Sequence, residues 1–76
     1  MQRTWLITAR RNKSMTQKQL GEAVGITLQA ISNYERGTRS PRDLAGWGRL
    51  AAALGLSVEM VFDFEKTPLH KEEGAP

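Results

Sequence analysis

The 76-residue chain has no cysteine and one histidine, His70. Without thiols it can build neither a disulfide framework nor a thiolate metal site, and a lone imidazole makes no conventional metal centre. A cysteine-free chain suits a reducing compartment. No apolar run approaches the roughly 20 residues that a spanning helix needs. The opening, MQRTWLITARR, holds too short an apolar stretch for a signal peptide. There is no glycine-rich phosphate loop and no carboxylate pair in a setting that would shift a pKa. An enzyme is therefore not expected, and neither is a cofactor or a metal. Chains this short bury only about 60% of the surface their unfolded state exposes, so one domain with a modest core is expected. The expected location is the cytoplasm, with no membrane partner.

What the chain does have is a basic front. Net charge is +3, but residues 1–49 carry nine Lys/Arg against three Asp/Glu, whereas residues 50–76 carry two against five. Such a surplus draws anionic polymers, because each Lys or Arg set against a phosphate releases condensed counterions. A merely solvated basic surface has the same numbers, so charge alone decides nothing.

Within that half, residues 17–36, QKQLGEAVGITLQAISNYER, hold two short helical patterns around one break. Leu20, Ala23 and Val24 recur at i, i+3, i+4 and predict one inner face. Thr16 stands where an N-cap accepts a first-turn N–H. Gly25 can close the helix in the left-handed conformation, with Ile26 packing back over its end. Thr27 offers a second N-cap, and Ile31 and Tyr34 set the inner face of the second helix. Gly21 costs about 1 kcal/mol relative to alanine in a helix; a close backbone approach at the turn is the expected compensation.

The flanks read as further helices. Residues 3–12 place Leu6 and Ala9 inward, Trp5 or Ile7 over a neighbour, and Arg10, Arg11 and Lys13 at the negative pole of the C-terminus. Met15 turns into the core. Residues 37–42 are turn chemistry, with Gly37 stopping one helix and Pro41 opening the next in its first turn. Residues 42–54 predict a longer helix with Leu44, Trp47, Ala51 and Leu54 at a/d spacing and Leu50 beside them. Gly46 and Gly48 are costly inside it, which leaves its first residue open.

Ser57 can cap a fifth helix through Phe62 that buries Val58, Val61 and Phe62. Yet Val58, Met60, Phe62 and Phe64 also alternate as a strand. The helix is preferred. The apolar residues of this segment either close the core or form a self-association surface. The result is an all-α bundle of four to five short helices over residues 1–64, with 65–76 a flexible C-terminal tail.

Leu20, Val24, Ile26, Ile31 and Tyr34, with small Gly21, turn Gly25, the Thr16-Gln17 frame and the closing Asn33-Tyr34-Glu35-Arg36-Gly37, resemble the helix-turn-helix of the phage repressor and Cro (XRE-type) family. The resemblance extends from about Leu6 to Leu56, and the segment joining the third and fourth helices is one residue longer than the common family spacing. It implies a lambda-repressor-like fold and sequence-specific binding of double-stranded DNA by a small transcription regulator, usually a dimer. It also implies an ion pair between Arg10 and Glu35 and a phosphate contact by Gln17.

If the second helix of the motif enters a major groove, Leu28, Gln29, Ser32, Asn33 and Arg36 face outward. Gln29 fits the N6/N7 edge of adenine and Leu28 a thymine methyl, unless that leucine is buried against the turn. Ser32 and Asn33 complete the base set. Gln17, Lys18, Thr27, Arg36, Thr38 and Arg39 form the phosphate set. One such helix reads only a few base pairs, so a homodimer on a pseudo-palindromic operator is expected. The alternatives are an antitoxin or restriction-system controller, with a toxin or other protein partner, and an interaction adaptor that binds no DNA.

Overall fold

The computed structural model describes residues 2–66, which form five helices: α1 (Thr4–Asn12), α2 (Gln17–Val24), α3 (Leu28–Arg36), α4 (Leu44–Leu54) and α5 (Val58–Lys66). No strand occurs among the described residues, and the α5 segment is helical. Helical spacing puts Val58, Val61, Phe62 and Glu65 on one stripe. Val61 is fully buried on it, and Phe62 meets Trp47 edge to face with ring centroids 5.9 Å apart. The helix continues through Glu65 and Lys66, so these two residues belong to the bundle. Residues 67–76, the remainder of the expected tail and with it His70, lie outside the described residues.

Helices α1 to α4 meet in one core cluster of buried Leu6, Leu20, Val24, Ile31, Leu50 and Leu54, and α5 adds buried Val61. Each such side chain stabilises the fold by about 1.5–3 kcal/mol relative to exposure. Met15, Ile26, Tyr34 and Trp47 are partly buried against this cluster.

The helix ends follow from local chemistry. Thr16 Oγ1 accepts the Gln19 N–H at 3.0 Å, and Gln19 Oε1 accepts the Thr16 N–H at 2.9 Å. This is a reciprocal capping box, legible in the spacing Thr-x-x-Gln. Thr27 Oγ1 accepts the Ala30 N–H at 3.0 Å, and Gly25 closes α2 at φ 85. Only the few residues around this left-handed glycine separate α2 from α3. A Cβ on Gly21 would lie 2.8 Å from the Ile26 carbonyl oxygen. The turn therefore packs directly onto the backbone of α2.

Further expectations change. Phe62, expected to be buried, is 37% exposed. Ala23 is exposed, and Gly21 is buried beside Leu20 and Val24 instead. α4 begins at Leu44 under an Asp43 cap that accepts the Gly46 N–H at 2.9 Å, so Pro41 lies ahead of the helix rather than in its first turn. Leu44 is then the first helical residue and is 63% exposed. Buried Pro41 fills the space near Gly46: a Cβ added to that glycine would stand 3.2 Å from the Pro41 Cβ.

Gly48 has no such reason to be small, because nothing lies within 4 Å of where its Cβ would sit. Gly48→Ala should stabilise the fold by about 0.5–1 kcal/mol. That raises the thermal midpoint by several degrees. A melting curve that did not move upward would mean a neighbour occupies this open space. No single helix among the described residues is long and apolar enough to cross a membrane.

Candidate nucleic-acid interface

α3 has one face held from behind and one face open. Ile31 is fully buried, Glu35 is 4% exposed, and Tyr34 packs on the core. On the other side Gln29 and Arg36 are exposed, and Leu28 is 48% exposed rather than tucked against the turn. Ser32 and Asn33 are half-buried on this same face. Their cover is Arg36, which reaches back one turn to donate from Nη2 to Asn33 Oδ1 at 2.7 Å and from Nη1 to Ser32 Oγ at 3.2 Å.

A buried ion pair sets the position of the helix. Arg10 Nε donates to Glu35 Oε2 at 2.6 Å and Nη2 to Oε1 at 3.3 Å, with side-chain exposures of 11% and 5%. Nη1 of the same guanidinium donates to the Met15 carbonyl at 2.9 Å. Gln17 Nε2 adds a third donor group to the carboxylate at 2.9 Å. No buried side-chain nitrogen or oxygen is left unpaired among the described residues. One carboxylate thus ties α1, the N-terminus of α2 and the last turn of α3 together. Gln17 keeps a second amide N–H, and it stands in the first turn of α2, where backbone N–H groups have no partner within a helix.

The other residues expected to meet phosphate are placed as follows. Lys18 is exposed beside Gln17, and Thr27 and Arg39 are exposed at the start of α3 and just after its end. Thr38 differs. Its hydroxyl donates to the Asn33 carbonyl at 3.2 Å and its N–H to the same oxygen at 3.0 Å, so its donors are engaged in closing α3.

A sequence model described as helix-turn-helix matches residues 6–61. An HTH-type transcriptional regulator of Sinorhizobium fredii is 40% identical over 60 residues, covering 78% of this chain and 77% of the relative. The chain belongs to the helix-turn-helix family. This places it among the DNA-binding transcription regulators. No solved structure matches it.

One residue that organises this helix-turn-helix protein has no local sequence signal. Arg3 donates from Nε and Nη2 to Glu65 at 2.7 and 3.2 Å, and from Nη1 to the Tyr34 and Arg39 carbonyls at 2.6 and 3.1 Å. Nη2 also reaches Ser40 Oγ at 2.9 Å, and the guanidinium lies 5.6 Å from the centroid of the Trp47 ring. Trp5 Nε1 donates to the same Glu65 carboxylate at 2.7 Å. Arg3 therefore holds the loop that carries Arg39 against α5. Its partner lies 62 residues away in sequence, beyond the reach of any spacing rule.

Burial pushes the Glu65 carboxyl up, but the hydrogen bonds from Arg3 and Trp5 and the positive charge of Arg3 outweigh it and hold it below the ordinary value of 4.5. A carboxyl that is more acidic when folded stabilises the fold above its ordinary pKa, and that stabilisation is lost as pH falls through the folded value. Thermal midpoints should therefore drop as pH falls below 4.5. Glu65→Gln should flatten that part of the profile. An identical slope in the variant would assign the acid sensitivity to other carboxylates.

Proposed function

We propose that this protein is a phage-type repressor or Cro-like regulator that binds a pseudo-palindromic operator as a homodimer in the cytoplasm. The observation that carries the reading is α3 itself, with Ile31, Tyr34 and Glu35 fixed from behind and Leu28, Gln29, Ser32, Asn33 and Arg36 turned outward. Gln29 reads adenine through its amide, and Leu28 meets a thymine methyl. Gln17, Lys18, Thr27 and Arg39 grip phosphates around the groove. Gln17 uses the amide N–H that Glu35 leaves free, together with the N-terminal N–H groups of α2. Thr38 joins them only by releasing the Asn33 carbonyl.

The dimer surface is the apolar side left open on α5, where Met60 and Phe64, one helical turn apart, are 45% and 39% exposed. The same apolar face supports a second reading, an antitoxin or controller that presents it to a protein partner. The mass of the protein–DNA complex separates the two. Two copies per operator support the homodimer, and a monomer that pairs only with a co-purified protein supports the alternative.

Selection from randomised double-stranded DNA at fixed salt, followed by titrations on the recovered site, tests the docking face. Gln29→Ala should cost about 1–3 kcal/mol, concentrated at one base pair. Arg39→Ala should weaken every sequence alike and lower the salt slope by about one. If neither substitution alters affinity for the selected site, α3 does not dock in this way.

A further inference from the structure

The cluster on the outer face of α3 has a donor and acceptor balance that points to one base. We propose that Asn33 and Arg36 act as a single guanine-reading unit, in which Asn33 holds the Arg36 guanidinium over the groove face and the pair presents chiefly hydrogen-bond donors. The inference rests on the operator-reading role proposed above and adds the base that part of α3 selects.

The geometry places the guanidinium first. An arginine near the end of α3 is available to a phosphate beside Gly37, but Arg36 extends the other way. Its two terminal nitrogens bind Asn33 Oδ1 at 2.7 Å and Ser32 Oγ at 3.2 Å. Its charge therefore lies over the preceding turn, in line with Gln29, which shares the stripe at positions 29, 32, 33 and 36. From residue 29 to residue 33, over which the guanidinium lies, a helix rises about 6 Å, more than the roughly 3.4 Å between successive base pairs. Gln29 and the Asn33–Arg36 unit therefore meet different base pairs.

The bonds already made then limit what can be read. An asparagine reads adenine by accepting from N6 and donating to N7, which requires a free amide oxygen. The Asn33 oxygen accepts from the charged Arg36 at 2.7 Å, with the Thr38 hydroxyl also 3.4 Å away, and breaking the charged bond to turn this oxygen toward adenine is costly. The two amide N–H groups of Asn33 make no bond among the described residues and stay available. A guanidinium has five N–H donors and no acceptor, so with two committed Arg36 has three to offer. In the major groove guanine alone presents two acceptors, N7 and O6, on one base edge. Adenine and cytosine each present an amino group that this cluster meets poorly. Gln29, exposed and outside these bonds, keeps its amide for adenine.

The test uses the full chain and the DNA recovered by selection. The unmodified protein should enrich a guanine at one base pair of each half-site, distinct from the adenine read by Gln29. Arg36→Met should reduce the guanine-over-adenine preference at that base pair by roughly tenfold or more. It should leave the adenine preference intact. Asn33→Ala should reduce the preference at the same base pair by a smaller factor, because the guanidinium remains but is no longer held.

Uniform weakening on all sites by Arg36→Met, with a salt slope lower by about one, would make Arg36 a phosphate contact and overturn the proposal. A change at a different base pair in Asn33→Ala would overturn the pairing of the two residues. If the unmodified protein enriches no sequence at all, the operator reading fails, and this inference fails with it. Both substitutions lie on the outer face of α3, so helical content and melting midpoint within a few degrees of the parent verify that binding is being compared between folded proteins.

Discussion

Arg10→Met should lower the thermal midpoint by about 12 °C or more. The Glu35 side chain is 5% exposed, and Arg10 is the cation that meets it, with Nε 2.6 Å from Oε2. Methionine fills much of the arginine volume but leaves the carboxylate with the Gln17 amide alone. Removing one member of a buried pair costs about 3–5 kcal/mol, because the other charge stays out of water. For a domain of this size each kcal/mol moves the midpoint by about 4–8 °C. Out of a total stability of about 5–15 kcal/mol, such a loss is a large share.

The double variant Arg10→Met/Glu35→Leu separates two roles of the pair. Replacing both charges with apolar groups is often neutral or stabilising, so most of the lost midpoint should return. Affinity for the selected DNA should not return, because Gln17 loses the acceptor that orients its amide at the start of α2. A single variant as stable as the parent would refute the stability argument. A double variant that binds DNA like the parent would show that Gln17 needs no such orientation.

The parts of the fold readable from sequence are those set within a turn or two of chain. Thr16, Thr27 and Gly25 each act on backbone groups no more than a few residues away, and the period of Leu20, Val24, Ile31 and Tyr34 belongs to single helices. Leu44 shows the limit of periodicity. It has the right spacing from Trp47 and Ala51, but the Asp43 cap makes it the first residue of α4, and Pro41 is the residue buried near that end. Spacing marks which face of a helix points inward; it does not say how far the helix overlaps its neighbours.

Segment 57–64 carried two periods at once, and tertiary packing chose between them. As a helix it puts Val61 in the core and Glu65 under Arg3 and Trp5. Glu65 read as tail because local composition cannot reveal a partner at the other end of the chain. At the candidate interface the outward set on α3 was legible from what must face inward. The Arg36–Asn33–Ser32 bonding was not, because it depends on the rotamer of one long side chain. For Gln17 the resemblance supplied a role, while its bond to Glu35 came from the way three helices meet.

Gly21→Val should cost about 3 kcal/mol, in the upper part of the range for overpacking. It should also weaken operator binding even at temperatures where the variant is fully folded. The first added carbon would lie 2.8 Å from the Ile26 oxygen and 3.3 Å from the Thr27 carbonyl carbon and oxygen. All three atoms are backbone, so no side-chain rotation relieves the contact and the turn itself must shift. The helix gains at most about 1 kcal/mol from losing a glycine, which does not offset the clash. Gly21→Ala should lie between parent and valine variant. Gly48→Ala reports the propensity gain alone, since its Cβ meets nothing.

Binding suffers separately because Gln17 and Lys18 lie on α2, whereas Thr27 and Gln29 follow the turn. A turn that opens moves one set relative to the other, and a rigid duplex cannot meet both. Urea titrations give the stability loss, and anisotropy titrations on the selected site well below the midpoint give the affinity. If valine lowers stability while leaving affinity and base preference untouched, the angle between α2 and α3 is not what sets the docking, and contacts on α3 alone must carry it.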